Sequence, residues 1–315
     1  MPRLHPLLRE PAAAANEAGW SHDNEVSAMD VRFCKGQALG NDYLVIDAAD
    51  LPVPLTPERA VLLCDRHRGA GSDGVLLADL TTDPVHLRII NPDGSEAEKS
   101  GNGLRIFGAY MFGRGRAQLN EWFDVRLARD VVSMRVEDEL EAGTVVIRVR
   151  MGRATFNGAD VGFVLEAGAA LDYQLKLPVG GSAAINTVSL GNPHCVVFVD
   201  ELSRSDFLTR APQLCTHTSF SEGTNVQFAR VVGPRELEAW IWERGAAETL
   251  ASGSSACAVA SAAVRRGFVE PGQFIVQMLG GSVEVTVSDD FNVELLGTSQ
   301  MVYEARLMDP VADAW

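Results

Sequence analysis

The sequence predicts an α+β protein with two pseudo-symmetric domains, each a mainly antiparallel sheet or barrel wrapped around a central helix. Three observations lead to this prediction. Short Val- and Ile-rich runs recur along the 315 residues, helical periodicity is confined to a few places, and one pair of motifs occurs twice. A chain of this length has room for two domains of ordinary size.

The repeated pair consists of a Leu-Gly-Asn turn and a later Ser-Gly turn. Leu39 begins the first copy and Ser100 follows it by 61 residues, whereas Leu190 and Ser252 are 62 residues apart. Helix-forming residues follow each Ser-Gly turn. We therefore expect two facing halves that bring matching groups to one small molecule.

The remaining elements follow from local patterns. A Thr-Pro start predicts a helix over 57–67, and further helical segments are predicted at 104–112, 203–207 and 256–266. Apolar runs bounded by turn residues predict strands. These strands are residues 43–46, 75–77, 87–90, 145–149, 195–199, 226–228, 274–278 and 283–287.

The predicted domains are residues 29–150, to which about 298–315 return, and residues 151–297. Residues 1–28 show neither strand nor helix periodicity and lack the apolar core of a signal peptide. We interpret them as a disordered extension, with Met29 as a plausible alternative start. The competing interpretation is a short helix docked on the body.

Composition excludes several classes of protein. The 27 basic and 42 acidic residues give a net charge of −15, which argues against a nucleic-acid partner. No apolar run approaches the ~20 residues of a membrane span. The five widely spaced cysteines argue against a disulfide framework or a zinc site and favour the reducing cytoplasm.

The two Ser-Gly turns are candidate carboxylate sites. The first N–H groups of a helix are unpaired and carry a partial positive charge, and glycine lets a ligand approach them closely. The alternative is that each serine is only a helix N-cap. The matched pair favours a site, with the residues Ser100, Gly101, Asn102, Ser252, Gly253 and Ser254.

Other polar residues are candidates for substrate binding. Asn41, Asn91, Asn192 and Asn225 stand next to apolar runs, and an Asn side chain can donate to a carboxylate and accept from an ammonium. Each could instead be only a turn residue. Glu243 and Arg244 could hold a zwitterion or form a solvated strand end. His194 could tune or relay a proton.

Together these motifs resemble the diaminopimelate epimerase family over essentially residues 29–310. The matching segments are residues 38–42, 66–75, 91–96, 101–103, 191–195, 225–226 and 243–246. The resemblance implies two domains with the site in the cleft between them, no cofactor or metal, and a diamino diacid substrate. It implies conversion of LL- to meso-diaminopimelate for lysine and peptidoglycan precursors, and such folds commonly form homodimers.

The resemblance also implies roles for individual residues. Two residues on opposite faces would remove and return the α-proton. The N–H groups around Gly101, Asn102, Gly253 and Ser254 would hold the reacting carboxylate, and Glu243 the ammonium. The far end of the substrate would lie against Asn41, Asn91, Asn192, Asn225 and Arg244.

One departure concerns the proton-transfer residues themselves. The family has cysteines where this chain has Ser100 and Ser252, and usually glycine where it has Ser255. The pKa of an alcohol lies about 5–7 units above that of a thiol, which corresponds to roughly 7–9 kcal/mol. A neighbouring base would then be needed. The nearby candidates are Lys99, Glu98, Glu248 and His194.

Three explanations of the serines remain open. They could be introduced substitutions that trap an inactive enzyme. They could mark a natural divergent isomerase, racemase or dehydratase, as in the hydroxyproline and phenazine-pathway relatives. Finally, the chain could be a catalytically silent amino-acid binder. The further change at Ser255 favours natural divergence, and the intact binding set favours a diaminopimelate-like ligand in each case.

Overall fold

The structure, a computed structural model, describes residues 31–307 except 141–142, 167 and 180. The predicted extension over 1–28 and the last part of the predicted return, 308–315, lie outside the described residues. The helices are α1 (Pro57–Cys64), α2 (Gly101–Gly113), α3 (Arg204–Cys215) and α4 (Gly253–Arg265).

The first half forms a closed ring of strands. Its strands are β1 (Arg32–Ala38), β2 (Asn41–Asp47), β3 (Val75–Asp79), β4 (Val85–Ile90), β5 (Glu96–Ala97), β6 (Trp122–Arg126), β7 (Val131–Glu139) and β8 (Thr144–Arg153). The pairing runs β1-β2-β3-β4-β6-β7-β8, then to the last strand β17 (Asn292–Arg306), and back to β1. A ring of this kind has no free edge.

The second half repeats this plan. Its strands are β9 (Tyr173–Lys176), β10 (Ser182–Ser189), β11 (Pro193–Phe198), β12 (Asn225–Gly233), β13 (Glu236–Glu243), β14 (Ala247–Thr249), β15 (Gly272–Met278) and β16 (Gly281–Val287). The pairing runs β10-β11-β12-β13-β15-β16-β17-β8, and a bridge from Thr155 to Ser189 leads back to β10.

Corresponding helices occupy corresponding places. Helix α1 connects the parallel strands β2 and β3, and α3 connects the parallel strands β11 and β12. Helices α2 and α4 pack inside the two rings, and nearly every residue of each is buried. The predicted α+β fold of two pseudo-symmetric halves around central helices is confirmed.

The predicted elements are found with adjusted ends. Helix α1 stops at Cys64 because the Asp65 carboxylate accepts the N–H groups of His67 and Arg68. Residues 203–207 open a full helix of 12 residues rather than a single turn, with Ser203 as its cap. None of the helices in the described part of the chain has the length and apolar character needed to cross a bilayer.

Strand β17 links the two halves. Residues 292–300 pair with β8, residues 293–296 also pair with β16, and residues 300–306 pair with β1, where Arg306 lies opposite Arg32. The domain limits stay a prediction. If the chain returns to the first half as proposed, β17 must pair with strands of that half, as it does with β1 and β8.

Candidate active site

The central helices meet at their first residues. A Cβ atom added to Gly101 would lie 2.9 Å from the Cα of Gly253, and one added to Gly253 would lie 3.0 Å from the Cα of Gly101. Neither position has room for a side chain, because Leu295 packs against both from β17. Two helix N-termini thus converge on one place, where their partial positive charges add.

The two serines head these helices in different surroundings. Ser100 is the N-cap of α2, and its Oγ accepts the Gly103 N–H at 3.0 Å and lies 3.3 Å from the Tyr43 hydroxyl. Ser252 is the N-cap of α4, but its side chain makes no capping hydrogen bond. The two turns match in backbone and differ in what their hydroxyl groups contact.

The Ser252 hydroxyl lies beside the carboxyl of Glu243, the last residue of β13. Burial raises the pKa of Glu243, and the hydrogen-bonding interaction with Ser252 offsets only part of this increase. A carboxylate whose pKa is raised can accept the proton of a neighbouring hydroxyl group.

The acidic and basic residues proposed as neighbouring bases are held in ion pairs. The Lys99 ammonium is buried and donates to the Met151 carbonyl at 3.0 Å. Lys99, Glu98 and Glu248 each form an ion pair that occupies the charged group. Lys99 pairs with Asp130 at 2.7 Å, Glu98 with Arg244 at 3.3 Å, and Glu248 with Arg204 at 2.7 Å.

His194 is fully buried with both ring nitrogens in hydrogen bonds. Its Nε2 lies 3.0 Å from Asn192 Oδ1, and its Nδ1 lies 3.1 Å from Gln227 Nε2. An amide oxygen accepts and an amide nitrogen donates, so this pattern fits the neutral tautomer with the proton on Nε2. Burial lowers the pKa of His194 to about 3. The ring therefore orients Asn192 and carries no positive charge at neutral pH.

The asparagines of the two Leu-Gly-Asn turns contact equivalent positions of the helix starts, but the hydrogen bonds run in opposite directions. Asn102 donates to Asn41 Oδ1 at 3.2 Å, and Asn192 donates to Ser254 Oγ at 3.4 Å. Asn102 and Ser254 each stand two residues after the helix serine. Asn41 is braced further by Asp73, whose carboxylate accepts its amide at 2.8 Å.

Arg244 and Asn225 also lie together. The Arg244 backbone N–H donates to Asn225 Oδ1 at 2.9 Å, and its guanidinium pairs with Glu98 of the first half. Asn91 is different, because its amide donates to Ser95 Oγ at 3.0 Å within its own turn. Among the described residues, none of its hydrogen bonds reaches another predicted site residue.

Arg105 contacts the predicted site residues Gly101 and Asn102, and the sequence patterns did not single it out. It is fully buried and donates to the carbonyls of Thr298 at 3.1 Å and Gly101 at 3.3 Å, and to the Asn102 amide oxygen. Asn102 in turn donates to the Ala251 carbonyl of the other half at 3.0 Å. The spacing of three residues between Asn102 and Arg105 on one helix was the available signal.

The buried guanidinium adds to the positive field at the helix starts. Burial lowers the pKa of Arg105 to about 10, so it stays protonated at neutral pH. The described part of the chain supplies it with hydrogen-bond acceptors and no carboxylate partner. An anion at the helix starts would complement this charge.

Comparison with known proteins identifies the family. The model of the family described as "Diaminopimelate epimerase" matches residues 33–157 and 186–302. "Diaminopimelate epimerase 2" of Nostoc sp. is 39% identical over 279 residues, covering 88% of this chain and 95% of that protein. The diaminopimelate epimerase of Pelotomaculum thermopropionicum is 36% identical, covering 88% and 98%.

Solved structures share the fold at low identity. A hydroxyproline epimerase from Agrobacterium vitis superimposes with a TM-score of 0.66 at 15% identity, covering 90% of this chain and 94% of that one. A probable proline racemase from Agrobacterium radiobacter gives 0.67 at 15% identity, covering 90% and 95%. By its sequence, the chain belongs to the diaminopimelate epimerase family, a family of epimerase-type isomerases.

Proposed function

We propose that this protein epimerises diaminopimelate without a cofactor and uses oxygen groups where its family uses thiols. The observation that carries the proposal is the contact between Gly101 and Gly253, which sets two serine-headed helix starts against each other. A carboxylate held there would have one serine hydroxyl on each side of its α-carbon.

The substrate would be held by groups of both halves. Its reacting carboxylate would accept the N–H groups of Gly101, Asn102, Gly253 and Ser254, and the Arg105 charge lies behind them. The Glu243 carboxylate has two oxygens, so it can face Ser252 and still accept from the substrate ammonium. Support for the far end comes from Arg244 and Asn225, which already contact each other.

The proton would leave on the Ser252 side. The α-carbon–hydrogen bond breaks, its proton passes to Ser252 Oγ, and the Ser252 proton passes to Glu243. The electron pair left on carbon delocalises into the substrate carboxylate, where the helix N–H groups stabilise it. The net base is then a carboxylate with a raised pKa, which avoids a free alkoxide on this side.

The proton would return from the Ser100 side. The hydroxyl of Ser100 donates to the opposite face of the carbon, which inverts the centre. The charge left on Ser100 Oγ is stabilised by the Gly103 N–H at 3.0 Å. Exchange with solvent then removes the proton from Glu243 and restores that of Ser100. His194 would position Asn192 and transfer no proton, because both its ring nitrogens are engaged.

The test is deuterium uptake from heavy water. LL- and meso-diaminopimelate are incubated separately with the enzyme, and mass spectrometry and NMR locate the deuterium. We expect incorporation at one α-carbon together with epimerisation. Glu243→Gln should abolish both, whereas Glu248→Gln, which changes a carboxylate paired with Arg204, should keep them. Calorimetric binding without any deuterium uptake by the wild type would instead identify a silent binder.

We further propose a cytoplasmic homodimer. The cytoplasm is supported by five cysteines that are all buried free thiols. The dimer is supported by what is common among such folds. Sedimentation at several concentrations tests it, and a monomer at micromolar concentration would contradict it.

A further inference from the structure

We propose that Tyr43 is a positioning residue that makes Ser100 the acid of the site, so that the two proton-transfer faces are chemically unlike. This inference rests on the proposed function. Tyr43 lies on β2 with 6% of its surface exposed, and its hydroxyl lies 3.3 Å from Ser100 Oγ. The hydroxyl on the opposite face, that of Ser252, lies beside the Glu243 carboxyl instead.

Hydrogen-bond capacity sets the direction of the Tyr43 contact. A serine hydroxyl has one hydrogen and two lone pairs, and Ser100 already accepts the Gly103 N–H at 3.0 Å. By ordinary values a phenol is more acidic than an alcohol by roughly 4–5 pKa units, so the Tyr43 hydroxyl donates and the alcohol oxygen accepts. Both lone pairs of Ser100 are then used, and its hydrogen is free to point into the cleft.

The two halves differ at matched positions in a way that agrees with this division. Glu243 stands nine residues before Ser252, and Asn91 stands nine residues before Ser100. An amide cannot take a proton as a carboxylate can. Tyr43 and His194 each stand two residues after the asparagine of the repeat, but His194 turns to Gln227 rather than to Ser252.

The phenol is fixed in place by its surroundings. A Cβ on Gly74 would lie 2.6 Å from Cε1 of the Tyr43 ring, so the ring fills the space that a glycine leaves. Burial, together with the negative charges of Glu243 and Asp73, raises the pKa of Tyr43. The phenol therefore stays protonated at neutral pH and remains a donor, which stabilises negative charge on the atom at position 100.

The test replaces each serine with a titratable thiol in the absence of substrate. Ser100→Cys and Ser252→Cys are made singly, each with and without Tyr43→Phe. The thiol pKa is read from the ¹³Cβ NMR shift, by difference from the parent, whose five cysteines are buried and have raised pKa values.

We expect the thiol at position 100 to have the lower pKa of the two. Tyr43→Phe should raise it by roughly one unit, a tenfold change in thiolate fraction, and should leave the thiol at position 252 unchanged. A shift of less than about 0.3 unit at position 100, or equal shifts at both positions, would overturn the inference.

A second measurement keeps the test independent of how well Tyr43→Phe folds. The ¹³Cζ resonance of Tyr43, one of four tyrosines, should shift as the thiol at position 100 ionises. No shift there contradicts the inference. Tyr110→Phe, which alters another buried tyrosine at the far end of α2, is the matched control and should leave the thiol pKa unchanged.

Activity supplies a separate arm. In the serine enzyme, Tyr43→Phe should lower kcat about tenfold and change KM less than about twofold, because a lost contact to the proton donor affects the transition state. Absence of exchange in the wild type would refute the proposed function, whereas the thiol titrations decide the role of Tyr43 without substrate.

Discussion

Two hydroxyl groups at the helix starts need partners of opposite kind to move a proton across a carbon atom. Glu243 beside Ser252 can accept, whereas Tyr43 beside Ser100 can donate. The folded protein keeps Glu243 at a raised pKa, so its ionised form is less stable in the folded chain than in the unfolded one. At this residue function and stability oppose each other.

Glu243→Gln should therefore lose activity and gain stability. We expect deuterium exchange to fall at least about 100-fold, because the base is gone. In the wild type the stability contributed by neutral Glu243 is lost as pH rises through its folded pKa, whereas Gln stays neutral throughout. The variant should thus have a higher free energy of unfolding than the wild type in urea near pH 7, and this difference should vanish at low pH. An equally stable variant at pH 7 would contradict this.

The pH dependence of catalysis should follow the same group. We expect kcat/KM to rise with pH as Glu243 ionises, with a midpoint above the ordinary value for a glutamic acid. The profile should show no further step near pH 6.5, because the pKa of His194 is lowered to about 3. A midpoint that moves when His194 is replaced would contradict the assignment of this step to Glu243.

His194 should appear instead in the stability of the protein. In the unfolded chain the His194 ring binds a proton near pH 6.5, whereas in the folded chain it binds one only near pH 3. Stability is therefore complete above pH 6.5 and should fall by about 1.4 kcal/mol for each pH unit below it. Urea unfolding from pH 4 to pH 7 measures this slope. His194→Gln should remove the part of the slope that comes from His194.

Replacing both serines by cysteine tests the assignment of the two positions. Because a thiol is more acidic than an alcohol by about 5–7 pKa units, the double variant should epimerise diaminopimelate on the order of 10² to 10⁴ times faster. The conversion is followed by chiral chromatography. An unchanged rate would mean that positions 100 and 252 do not transfer the proton.

At the scale of the element, the site depends on the close approach of α2 and α4. Two glycines allow this approach, and side chains at either position would force the helix starts apart. The N–H groups that we propose for the substrate carboxylate would then no longer point to one place. Geometry between the helices therefore controls binding and catalysis together.

Gly101→Ala should destabilise the protein by about 1–3 kcal/mol, because its Cβ would lie 2.9 Å from Gly253. It should also weaken substrate binding measured by calorimetry. Gly113→Ala is the matched control at the other end of α2, where a Cβ meets nothing within 4 Å. The control variant should bind substrate as the wild type does, and its free energy of unfolding should rise by up to about 1 kcal/mol.

At the scale of the whole molecule, β8 and β17 are strands of both rings. Strand β17 pairs with β16 in the second half and with β1 in the first. Leu295 lies within it, fully buried, and packs under both helix starts. The halves are therefore coupled through shared strands, and we expect them to unfold together.

Leu295→Ala tests this coupling. Its cavity should cost about 2–5 kcal/mol. Native-state hydrogen exchange should then show protection falling in β3 of the first half and in β12 of the second alike. Val302→Ala, on the same strand but 52% exposed, should leave both unchanged. Loss of protection in one half only would show that the halves unfold independently.

The sequence by itself determined what depends on neighbouring residues. Alternation and turn residues marked the strands, and the Ser-Gly turns marked the starts of α2 and α4, because a turn and the first residues of a helix depend on neighbouring residues. The repeat also predicted the two-fold plan.

Only the tertiary structure decided which groups meet. Tyr43 reaches Ser100 across 57 residues of chain, and Arg105 donates to a carbonyl 193 residues away. The proposed bases Lys99, Glu98 and Glu248 are held in ion pairs. Such contacts arise when the rings close around their helices, and no local pattern encodes them.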